Sequence, residues 1–215
     1  MFVSAAQSRR LPARVAMLIV GLFVMTVGVV LITRSDLGTP PISAVPYVLS
    51  LALPFSYGEV MIAFNALLVV VQWPVLRGRF GAAQWLQLVV GTVFGVFIDV
   101  SMVLFTWLDP GAYWQRLVVL LIGCVVLAAG IVLEVRAGLA MNPGEGLVAA
   151  LALRTRREFS ALKIAFDVSL VILATGLSLA ILHGLVGVRE GTVISALLVG
   201  LVIRVITALL PSHEG

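Results

Sequence analysis

What most constrains this chain is that it contains one unit twice. Arg34-Ser35-Asp36-Leu37-Gly38-Thr39-Pro40-Pro41-Ile42-Ser43-Ala44-Val45-Pro46 returns as Arg136-Ala137-Gly138-Leu139-Ala140-Met141-Asn142-Pro143-Gly144-Glu145-Gly146-Leu147-Val148, at a constant offset of 102. Without a gap the match reaches back through Gly21/Gly123 and Gly28/Gly130, and forward to Ile62-Ala63-Phe64-Asn65 against Ile164-Ala165-Phe166-Asp167. After a two-residue deletion, Gly91-Thr92-Val93 falls on Gly191-Thr192-Val193. Each copy of the Pro-containing block follows one long apolar run and precedes another, so whatever architecture one half adopts, the other must repeat.

The apolar runs decide the class. Of 215 residues, 61% are hydrophobic and 11% charged, with a mean hydropathy of +1.18; soluble domains carry about 25% charged residues. The chain reads as an all-α polytopic membrane protein. One cysteine, Cys124, lies inside an apolar run, and His183 and His213 are isolated, so neither a disulfide framework nor a metal site is expected. The net charge of +4 comes from arginines in short loops, as the positive-inside rule requires, and no polybasic tail points to nucleic acid. No His-Glu-x-x-His, nucleophile elbow, phosphate loop or nucleotide fingerprint occurs, so no enzyme and no cofactor are expected.

Residues 1–14 read as a polar tail with Arg9, Arg10 and Arg14 at its end. The run Val15 to Ile32 is longer than a signal-peptide core, lacks a cleavage box and aligns with the internal run Leu117 to Leu133, so it is expected to stay as a spanning helix. Repeat 1 covers 15–107 and repeat 2 covers 117–210, joined by a loop at 108–116 and followed by a tail at 211–215. Each repeat holds three spanning helices and one broken segment, 37–53 and 139–153. In 37–53, Gly38, Pro40, Pro41 and Pro46 permit at most a short helix starting near Pro41. That helix would rise about 18 Å against a hydrocarbon core of about 30 Å, so both segments are expected to be re-entrant.

Three spans per repeat force the second repeat upside down. With both termini cytoplasmic, the inner loops then hold Arg77, Arg79, Arg136, Arg154, Arg156 and Arg157, while Arg34, Arg116 and Arg189 lie outside. Full crossing by the short segments would weaken that bias, so six spans plus two short helices in inverted-topology repeats are favoured over eight spans in parallel repeats.

Paired broken helices bring unpaired backbone groups to the middle of the bilayer, which makes the breaks the natural site. Thr39, Pro41 and Ser43 in the first, and Asn142, Gly144 and Glu145 in the second, are the candidate solute contacts, with Asn65 beside them. Their free helix starts suit an anion or a carboxylate, though Asn142-Pro143 also fits a cap. Asp167, Asp99 and Glu145 are carboxylates at membrane depth, costing about 2.5–3.5 kcal/mol each on insertion scales unless paired, protonated or wetted. Asp167 and Asp99 are therefore coupling candidates with Arg34 and Arg136, whose simpler role is snorkelling at the interface. Lys163 reads as one more inside-facing charge.

The block Leu37 to Pro46, together with Gly91 to Asp99 and Pro143-Gly144-Glu145-Gly146, resembles the YczE/YyaS/YitT family of bacterial integral membrane proteins over nearly the whole chain after the tail. Many members carry Pro-Trp-Asp where this chain has Pro41-Ile42-Ser43. The resemblance implies a multi-pass protein of the bacterial cytoplasmic membrane and carries over no catalytic residues. The expectation is a small secondary carrier for a small polar or anionic solute, with a passive channel or a non-transporting scaffold as alternatives. Its partners would be the lipid bilayer, the solute and a second copy of itself in a homodimer.

Overall fold

The computed structural model describes residues 11–209, so the tail ends at 1–10 and 210–215 lie outside the described residues. Eight α-helices occur among the described residues: α1 (Leu11–Arg34), α2 (Pro41–Ala52), α3 (Tyr57–Leu76), α4 (Ala82–Leu104), α5 (Tyr113–Ala137), α6 (Pro143–Thr155), α7 (Phe159–Leu182) and α8 (Glu190–Leu209). A 3₁₀ turn, Arg77–Arg79, links α3 to α4. Six of the helices are long and apolar enough to cross a membrane; α2 and α6, of 12 and 13 residues, are not. The fold is that of an all-α membrane protein.

Local chemistry sets the boundaries. Proline occupies the first turn of both short helices, where its missing N–H costs nothing. Ser56 and Glu59 form a capping box that starts α3 a turn earlier than the apolar run suggests. Tyr113 and Trp114, expected in the interfacial loop at 108–116, instead form the first turn of α5. The chain leaves α1 and α5 through left-handed residues, Asp36 (φ 57°) and its equivalent Gly138 (φ 57°).

The centre of the molecule is the crossing of α1 and α5, made by glycines at matching places. A Cβ on Gly28 would strike the backbone of Leu127, and one on Gly130 would strike that of Met25. Gly21 meets the amide of Glu134, and Gly123 that of Ile32. Small residues let the two backbones approach, and dispersion over that contact replaces the hydrophobic drive that lipid does not supply. Each contact maps onto the other by the offset of 102.

The same offset relates the outer packing. α2 lies on α7, with Ala44, Val45 and Val48 against Leu170 and Ala174, and α3 lies on α6. α4 packs on α1 as α8 packs on α5. Arg14 donates to the carbonyls of Ala137 (2.8 Å) and Gly138 (2.7 Å), while its equivalent, Arg116, pairs with Asp36 (2.6 Å). Arg189 also reaches the Asp36 carboxylate, at 3.4 Å.

One contact has no counterpart. α3 and α4 pack closely, whereas α7 and α8 barely touch. The cause lies in four substitutions between the repeats. Gly58 and Gly95 bring the α3 and α4 backbones together, and their equivalents are Ser160 and Ser195. Asp99 accepts from Ser56 Oγ (2.5 Å) and the Gly58 amide (2.7 Å), clamping α4 to the start of α3; Val199 stands in its place on α8. Gln72 Nε2 donates to Gln87 Oε1 (2.8 Å), and Ala174 replaces that glutamine on α7.

Candidate functional site

The starts of α2 and α6 meet. The side chain of Ile42 fills the space over Gly144, and Pro143 and Asn65 both lie against Gly91. Neither start carries a side-chain cap: Pro40 has none to offer, and Asn142, in the cap position, makes no capping bond. The capping role expected of Asn142 is therefore absent, and its side chain instead lines a central cavity of about 310 Å³.

Pro41, Asn65, Glu145, Lys163, Asp167 and Ser195 line the same cavity. Glu145 sits in the first turn of α6, where a carboxylate offsets the positive helix end. Lys163 and Asp167, four apart on α7, form a part-buried ion pair with Nζ 2.6 Å from Oδ1 and 2.5 Å from Oδ2. Both face the cavity, and their charges act on Glu145. Lys163, read from the sequence as one more inside-facing charge, thus stands at the cavity; the sequence signal for this was its i,i+4 spacing to Asp167, which places both on one helix face. The equivalent of Asp167, Asn65, is 2% exposed and turns its amide to the Gly91 carbonyl of α4 (3.5 Å), not to the broken segments.

A second cavity, of about 630 Å³, opens toward the end of the molecule that carries Leu76, Ala83 and Leu153. Its walls are largely apolar, and its polar groups are Gln84, Gln87, Glu134 and Glu145. Glu145 lines both cavities and so stands between them. Glu134 is 1% exposed, and neither of its carboxylate oxygens has a hydrogen-bond partner of good geometry; the backbone amide of Asn142 and the charge of Glu145 face it.

Other candidates lie elsewhere. Thr39 is fully buried and tied to the loop before α8, its Oγ1 donating to the Gly187 carbonyl (3.2 Å) and its amide facing Thr192 Oγ1 (3.3 Å). Ser43 is buried away from both cavities, its carbonyl accepting from Tyr57 Oη (3.4 Å). Asp99 is occupied in capping α3 and lines neither cavity. Arg34 donates to the Met102 carbonyl at the end of α4 (3.1 Å), tying α1 to α4. Arg136 lies in the last turn of α5, half-buried.

A model of a family of unknown function, DUF6198, matches residues 12–208, a stretch that takes in every helix named above except the end residues of α1 and α8. The chain belongs to the DUF6198 family. This DUF6198 protein is also similar to an uncharacterized protein of Haemophilus influenzae, 24% identical over 190 residues, which covers 88% of this chain and 81% of the relative. No solved structure matches it.

Proposed function

We propose that this protein is a small secondary carrier for a small polar solute, bound in the central cavity where α2 and α6 meet. The observation that carries the reading is the position of Glu145, which lines both the central cavity and the wider one that opens toward the arginine-rich end. A solute in the wider cavity reaches the central one past a single ionisable side chain. Uncapped amides at the two helix starts supply donors for its acceptor groups. Glu145, Lys163 and Asp167 together carry one net negative charge when all are ionised, so a simple anion is disfavoured and a solute with a donor or cationic group is preferred.

The packing supports alternating access between inverted repeats. The matched contacts of α1 with α5, α2 with α7 and α3 with α6 are those expected of two units related by a two-fold axis. With α3 closed on α4 and α7 open from α8, the molecule is closed in one repeat and open in the other. Exchanging the two arrangements would move the opening to the opposite face. In this reading the arginine-rich ends Arg77–Arg79 and Arg154–Arg157 face the cytoplasm, both termini lie inside and the bilayer is the bacterial cytoplasmic membrane, in line with the resemblance to the YczE/YyaS/YitT proteins.

The test is charge movement in proteoliposomes on a solid support, on addition of small amines, amino acids and carboxylates. Transport currents are expected for at least one class, and Asp167→Asn and Lys163→Met are expected to reduce them by about ten-fold or more, since each strands a charge at membrane depth. A steady conductance unaffected by either substitution would replace the carrier with a channel. Silence toward all three classes, with the cavity sealed to reagents from both sides, would replace it with a scaffold.

A further inference from the structure

The wider cavity has a chemistry of its own. Its volume of about 630 Å³ falls within the range of small-molecule sites, about 300–1,000 Å³. Val135, Leu139, Met141 and Phe159 give it apolar walls, and among the described residues no lysine or arginine lines it. Two acidic residues line it from different helices, Glu134 from the last turn of α5 and Glu145 from the first turn of α6. Glu134 is almost wholly buried, and neither of its oxygens has a hydrogen-bond partner of good geometry, the Asn142 amide being the one donor that faces it.

An unpaired carboxylate in such a place is costly, and a second carboxylate beside it raises the cost. The cations nearby do not reach it: Lys163 is held by Asp167 on α7, Arg14 donates to the carbonyls of Ala137 and Gly138, and Arg77, Arg79, Arg154 and Arg156 line a neighbouring cavity that shares Leu76, Ala150 and Leu153 with this one. What the cavity lacks is a positive group attached to an apolar body.

We propose that this cavity is a binding site for an organic ammonium ion, its head group held by Glu134 and Glu145 and its apolar part seated against Val135, Leu139, Met141 and Phe159. Gln87, whose Oε1 already accepts from Gln72, lies against Gly146 and fixes the far wall. Seen through the carrier reading, on which this part of the inference rests, the solute class is an amine and the cavity is the vestibule from which it passes Glu145. The binding site itself stands without that reading.

The experiment is isothermal titration of the purified protein in zwitterionic nanodiscs at about pH 8, where free carboxyl groups are ionised and benzylammonium keeps its charge. Three probes share one apolar body: benzylammonium, benzyl alcohol and benzoate. Saturable binding is expected for benzylammonium, at least about ten-fold tighter than for the alcohol, with none for benzoate. Glu134→Gln and Glu145→Gln, which keep size and shape, should each remove most of that preference. If Glu134→Gln does not fold, Glu145→Gln carries the test. Benzylammonium binding no tighter than the alcohol, or unchanged in the folded variants, overturns the proposal. So does a protonated-carboxyl infrared band that Glu134→Gln abolishes while benzylammonium fails to bind, since a proton would then be the counter-charge. Saturable binding without any transport current would keep the site and remove the carrier.

Discussion

At the scale of single residues, glycine has two meanings in this chain, and only the structure separates them. Gly28 and Gly130 lie where α1 and α5 touch backbone to backbone, whereas Gly176 on α7 has open space where a Cβ would go. Gly28→Val and Gly130→Val are each expected to cost about 1–3 kcal/mol or to prevent folding, because rigid backbone and not a flexible side-chain end must yield. Gly176→Val should leave thermal stability in detergent unchanged; an equal loss in all three would mean that the crossing is not held by close approach. The glycines that recur in the sequence, Gly21/Gly123 and Gly28/Gly130, are the ones that form this seam. Asp99 shows the opposite case: a carboxylate in an apolar run drew attention as a charge carrier, and it is a cap whose partners, Ser56 and Gly58, are about forty residues earlier. Asp99→Asn should lower stability by about 1–2 kcal/mol in a thermal melt, through loss of charge-assisted bonds to the start of α3. Its solute or amine binding should match the native protein; loss of binding without loss of stability would return Asp99 to the site.

At the scale of elements, α2 and α6 carry the design. Prolines end one conformation and begin another, so the positions of both short helices were legible from Pro41 and Pro143. Their roles differ along their lengths. Thr39, just before α2, is taken up by the loop before α8, and Ser43 is packed, so the first break contributes Pro41 and a bare helix start to the cavity. The second contributes Asn142 and Glu145. α7 supplies the remaining charges through a Lys163–Asp167 pair that a linear reading split between a basic loop and a buried acid. Spacing alone could place the two on one face, but whether that face met lipid, protein or a cavity depended on where α8 stood.

At the scale of the whole molecule, the two repeats are alike in what they touch and unlike in how far they are closed. Asp99, Gly95 and Gln72 hold α4 to α3, and Val199, Ser195 and Ala174 leave α8 apart from α7. If exchange between these arrangements is part of the working cycle, α7 must at times close on α8 as α3 does on α4. Cysteines at Ser160 and Ser195, the equivalents of Gly58 and Gly95, in a Cys124→Ser background, should then form a disulfide under mild oxidation. The cross-linked protein should protect a cavity-facing position from thiol reagents added at the arginine-rich end. Absence of cross-linking in native membranes, with free reaction of both cysteines, would mean a fixed opening and favour a channel.

The sequence by itself determined the number of long apolar helices, the two short ones between them and the duplication, because run length, proline and the offset of 102 are properties of the chain read locally. It also pointed to Asn142, Glu145, Asn65 and Asp167, since polar groups near helix breaks in an apolar chain are few. It did not reveal Glu134, which stands in the last turn of a long apolar helix, nor that Glu145 lines two cavities. Those were decided by tertiary structure alone. A cavity is the space that helices distant in sequence leave between them: all eight helices border the central one and α3 to α7 the wider one, a placement that no local pattern encodes.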